Sequence, residues 1–223
     1  MKYIILVFCL VLVAACKPQV SADVYAADIV EVAETGESIE IPVRMGLPIQ
    51  NEDECEEDKN KMLPALMKFG TGVKFISCKE LEGEMHDLLI VEMIGEVVRT
   101  PDSGISEIKG MFGVAVTQLD DGSFLVDFLK SKNVDMAVSE IDDNYQFQDI
   151  ELSDIELRVN LHNDLRNTIK YEVDGSLVDD NPVDSPQIFE LPRRGRIEIV
   201  PSNVRSQSFV ITGEARFARL IIN

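Results

Sequence analysis

Two histidines are the natural starting point for acid–base chemistry in this chain, His86 and His162. His86 is followed by Asp87, a carboxylate able to orient an imidazole. It leads, however, into the apolar run Leu88-Leu89-Ile90-Val91, and a strand-edge histidine beside an acid is ordinarily solvated. His162 lies in Leu161-His162-Asn163-Asp164, which reads as a strand entering a turn. There is no Gly-x-Ser-x-Gly elbow, no phosphate-binding glycine loop and no His-Glu-x-x-His helix. The expectation is a protein that is not an enzyme.

Acidic clusters offer a second chemistry, binding of a hard cation. Glu52-Asp53-Glu54 and Glu56-Glu57-Asp58 flank Cys55, but carboxylates on a helix point several ways and repel, so a solvated face is expected. Asp174, Asp179, Asp180 and Asp184 make a better calcium candidate, because a loop can converge its oxygens. They lack EF-hand spacing and a closing glutamate, which leaves a turn-rich linker as the plainer reading. Arg193-Arg194-Gly195-Arg196 is the one basic cluster. It could dock an acidic partner, or balance carboxylates nearby.

Thiols carry the most information. The chain opens with Lys2, runs without charge from Ile4 to Val13, and reaches Ala14-Ala15-Cys16. A charged start, a short apolar middle and small residues before a cut make a secretion signal. The apolar run is well short of the ~20 residues that span a bilayer. Val13-Ala14-Ala15-Cys16 resembles the lipobox of bacterial lipoproteins. That resemblance implies cleavage before Cys16 and covalent diacylglycerol and acyl chains on it, with no other cofactor. Lys17 in place of aspartate implies sorting to the outer membrane, facing the periplasm. Cys55 and Cys78 then remain in an oxidising compartment, where a disulfide is the natural outcome.

The whole chain carries 40 acidic and 21 basic side chains, a formal net charge of −19. The imbalance is uneven: residues 181–223 hold four acids against six arginines. So acidic a surface argues against nucleic acid as a partner. It also leaves membrane attachment to the lipid.

The elements that must position these residues follow from periodicity. Residues 1–15 are expected to be signal and 16–22 a lipidated tether. Ile29-Val30-Glu31-Val32 reads as a strand before a Gly36 turn, and Ile39 to Met45 alternates as a strand, with Pro42 suggesting a sheet edge. Asn51 to Phe69 is the main helix, capped by Asn51 and flawed by Pro64. Strands are expected over Val73 to Cys78, within Leu81 to Val98 with a bulge near Gly95, and in a hairpin about Asp120-Asp121-Gly122. Val134, Met136 and Val138 suggest another. After a polar break the pattern is almost wholly β: Ile155–Leu161, Ile169–Val173, Ile188–Leu191, Ile197–Val200, Phe209–Ile211 and Phe217–Ile222. The expected fold is α+β, mostly antiparallel β with one main helix (23–145), plus a C-terminal β-sandwich-like domain (146–223). A single continuous domain is the alternative.

The acidic start, single disulfide and β-rich tail resemble small uncharacterised lipoproteins of bacteria and their prophages, a likeness that transfers no functional residue. Function is expected to be that of a non-catalytic envelope lipoprotein with a protein partner. A small-ligand or calcium-binding receptor is the alternative, and a hydrolase without familiar motifs a third reading.

Overall fold

The computed structural model describes residues 17–49, 51–79, 87–101, 107–144 and 155–222. Residues 1–15, expected to be a signal, and Cys16 and His86 lie outside them. Among the described residues the fold is β-rich α+β: thirteen strands in one large mixed sheet, nearly closed into a barrel, with four helices.

The strands are β1 (Gln19–Tyr25), β2 (Ile39–Ile49), β3 (Thr71–Lys79), β4 (Asp87–Arg99), β5 (Phe112–Gln118), β6 (Phe124–Lys130), β7 (Glu156–His162), β8 (Ile169–Val173), β9 (Ser176–Val178), β10 (Asn181–Val183), β11 (Gln187–Leu191), β12 (Arg196–Pro201) and β13 (Glu214–Ile221). The helices are α1 (Ala26–Thr35), α2 (Cys55–Phe69), α3 (Lys132–Asn144) and α4 (Asn203–Thr212). The sheet order is β10-β9-β12-β7-β1-β2-β4-β5-β6-β13-β8-β11, with β3 on β4. Two pairs are parallel, β1 with β7 and β4 with β5.

This order corrects the expected C-terminal sandwich. Strands beyond residue 155 build no sheet of their own. β7 pairs with β1, and β13 pairs with β6, so the late strands flank the early block on both sides of a common sheet. One hydrophobic cluster accordingly runs from Val20 through Phe128 to Leu220.

The expected tether is also shorter than residues 16–22. Gln19 to Ala22 are the first half of β1, with Val20 and Ala22 buried. The alternation Val20, Ala22, Val24 is a half-buried strand pattern.

Three expected strands are helices. In α1 the buried residues are Ala26, Ile29, Val32 and Ala33, which is helical spacing, and Gly36 closes the helix in the left-handed conformation. In α3 they are Val134, Ala137, Val138 and Ile141, while Met136 is exposed. Phe209 lies in α4, which ends at Gly213 with φ 85°.

The expected main helix forms as a 3-10 turn (Glu52–Glu54) leading into α2, and the Asn51 Oδ1 accepts the Glu54 amide at 3.0 Å. Pro64 is exposed and does not split α2. The disulfide Cys55–Cys78 joins the start of α2 to β3, with Cα atoms 6.1 Å apart.

β2 is an inner strand, not an edge. Its ladder to β1 covers only Val43 to Gly46, so Pro42 and Pro48 fall where β4 is its sole neighbour. A residue lacking an amide donor is tolerated there. The register of β2 on β4 is unbroken through Gly95; the irregularities lie instead between β3 and β4. Gly95 serves close approach: a Cβ there would stand 2.8 Å from the Phe112 carbonyl oxygen and 2.6 Å from a Val43 methyl.

Candidate functional site at the carboxyl ends of β1 and β7

The parallel pairing of β1 and β7 brings Tyr25 and His162 side by side, and the antiparallel pairing of β12 adds Arg196 to the same row. Side chains in register project from one face of a pleated sheet. The Tyr25 and His162 rings stack, with centroids 4.7 Å apart and planes 19° from parallel. The His162 Nε2 lies 3.0 Å from Asp23 Oδ1, and Arg196 donates to Asn160 Oδ1 at 2.8 Å.

Behind this row two loops are tied together by Asn163, a buried side chain. Its Nδ2 donates to the carbonyls of Asn167 at 2.9 Å and Leu191 at 2.8 Å, and its Oδ1 accepts the Leu165 amide at 3.1 Å. Its backbone amide donates to the Gly195 carbonyl and its carbonyl accepts from the Arg194 amide. The loop after β7 and the arginine turn before β12 are thereby held as one unit. Arg194 adopts a positive φ of 63°, and Arg193 and Arg194 are exposed.

Asp164 reaches from the same loop to α1, where its Oδ1 accepts the Ala27 amide at 2.9 Å. A carboxylate at this place satisfies an otherwise unbonded first-turn donor and suits the helix dipole. It also crowds Asp28. Burial first, then the charges of Asp164 and Glu31, push the Asp28 carboxyl above its ordinary range.

The row Tyr25, His162 and Arg196 therefore offers a phenol, an imidazole and a guanidinium at the ends of three inner strands, flanked by two exposed arginines. Such a surface can hydrogen-bond and pair with acidic groups on another molecule. Sequence reasoning found the arginines but missed Tyr25, Asp23 and Asn163. Only Asn163-Asp164 after an alternating strand signalled a built turn.

The expected calcium ligands are not brought together. Asp174 pairs with Arg205, and the Asp179 Oδ1 accepts the Glu198 amide at 3.0 Å. Asp179 and Asp180 occupy the left-handed turn between β9 and β10, and Asp184 lines a separate cavity. Among the described residues no three acidic, histidine or cysteine side chains form a group able to hold a metal. Around Cys55, Glu56 and Glu57 pair with Lys59 and Lys61 at 2.5 and 2.8 Å, as expected of a solvated face.

At the opposite end of β1 lies a cavity of about 450 Å³ lined by Lys17, Ile155, Leu177, Pro182 and Asp184 among others. Pro18 is already fixed there, its carbonyl accepting the Glu156 amide at 2.8 Å. No described helix is long and apolar enough to cross a membrane.

Residues 18–222 match a family model described as Domain of unknown function (DUF7424). The chain belongs to the DUF7424 family. No curated protein and no solved structure matches the chain. In DUF7424 terms the match opens at the residue whose carbonyl ties the chain start to β7, so the family segment and the sheet begin together.

Proposed function

We propose that this chain is a lipid-anchored, non-catalytic lipoprotein of the bacterial envelope, held on the outer membrane and facing the periplasm, that binds another protein through the Tyr25–His162–arginine-turn end. What supports the reading is the course of β1. It leaves Pro18, two residues after Cys16, and runs without a break to Tyr25. Seven residues at ~3.3 Å each carry the chain ~20 Å, so an anchor at one end leaves the arginine turn at the other. The partner is proposed to be acidic at its contact, because Arg193 and Arg194 are exposed while Arg196 is engaged by Asn160.

Two measurements test this. Cells fed labelled palmitate should label the native chain and not the Cys16→Ser variant. Capture from cross-linked envelopes should return one partner with the native chain and lose it with the Arg193→Ala, Arg194→Ala double variant. Leaving Arg196 in place keeps the Asn160 bond intact. An unlabelled native chain sinks the anchor, and an unchanged capture pattern sinks the arginine turn as the contact.

A further inference from the structure

We infer that the end of the domain around Lys17 is a bilayer-seating surface, resting directly on zwitterionic phospholipid headgroups; this deepens the lipoprotein reading and rests on it. Reach sets the placement. Pro18 is fastened to the sheet by the Glu156 amide at 2.8 Å. From Pro18 back to Cys16 are two links, at most ~7 Å of extended chain. The headgroup layer on each side of the hydrocarbon core is itself ~5–7 Å thick. A lipid-bearing Cys16 buried to its glycerol therefore leaves no slack between the headgroups and the sheet.

The surface at that end suits this placement. Lys17 lines the cavity mouth and can meet a lipid phosphate, and beside it stand Leu177, 37 % exposed, and the exposed Pro182. Among the described lining residues the acids are Glu156, which is paired with Arg158, and the exposed Asp184. With a net charge of −19 on the chain, neutral headgroups are favoured over anionic ones. The sheet then stands with β1 rising from the membrane, and the arginine turn is presented away from it.

The chain has no tryptophan, which permits single reporters. The chain from Cys16 onward carries every described element. Coupled through the Cys16 thiol to a maleimide phospholipid in phosphatidylcholine–phosphatidylethanolamine vesicles, it can be probed with a headgroup spin-label quencher. Leu177→Trp and Asp184→Trp are expected to be quenched several-fold more than Tyr25→Trp. A flexible glycine-serine linker inserted between Lys17 and Pro18 is expected to abolish that contrast. Equal quenching at all three positions, or a contrast that survives the linker, would overturn the inference. Coupling here is chemical, so the outcome does not depend on lipidation in cells; the palmitate experiment judges that reading separately.

Discussion

The Asn163 side chain donates to the Leu191 carbonyl at 2.8 Å, joining two loops 28 residues apart in sequence. With its bonds to Asn167 and Leu165, and its backbone bonds to Arg194 and Gly195, every polar atom of Asn163 has a protein partner. Asn163→Ala removes three side-chain bonds and takes the buried partner from the Leu191 carbonyl. The expected cost is on the order of 3 kcal/mol. Urea unfolding of native and variant chains measures it, and a change under half a kilocalorie would mean the corner is held by something else.

Cys55→Ser with Cys78→Ser should lower stability by about 3 kcal/mol in the chain-entropy view of a loop this long. The helix start would lose its tie to β3. Reduction of the native chain should lower its Tm by the same amount as the double substitution. Alkylation of both thiols without prior reduction would contradict the bridge.

Gly95→Ala places a methyl 2.8 Å from the Phe112 carbonyl oxygen, where backbone cannot yield. Overpacking of this kind costs roughly 1–3 kcal/mol. Gly46→Ala is the comparison: its nearest neighbours are ends of the Leu88 and Ile90 side chains, at 3.2 and 3.3 Å, and these can shift. The first variant should therefore melt clearly below the second, and equal melting would refute the close-approach account.

Asp28 supplies a pH prediction with a definite sign. Its folded-state carboxyl is raised, chiefly by burial and then by Asp164 and Glu31. The folded chain thus holds its proton more tightly than the unfolded chain does. Between the ordinary value of 3.8 and the raised value, stability falls as pH rises, and the penalty is complete above that window. Asp28→Asn escapes the penalty. Its Tm relative to the native chain should be higher at pH 7 than at pH 3; an unchanged difference would refute the assignment.

Much of the sheet was legible because alternation is a local signal. Ile39 to Met45, the hairpin at Asp121-Gly122, Leu157 to Leu161 and Ile169 to Val173 all form strands, and the hairpin turn has Gly122 at φ 80°. The helices were misread where short apolar runs satisfied both periods. Val134 and Val138 fit alternation, but Ala137 and Ile141 complete a helical stripe that Met136 does not join. Ala26, Ala33 and Gly36 gave the corresponding signal for α1. The row at Tyr25 and His162 was illegible for another reason: it depends on two strands meeting across the whole chain, and no local pattern records that register.

The β1–β7 pairing sets an order of events during synthesis. β1 gains β2 early, yet its other edge stays open until β7, 137 residues later, has been made. Contacts so distant in sequence pay their loop-closure entropy before any return, and open edges recruit strange strands meanwhile. A nascent chain of this kind is at its most vulnerable just before completion. Truncation anywhere ahead of residue 156 should yield an aggregating species instead of a smaller folded one.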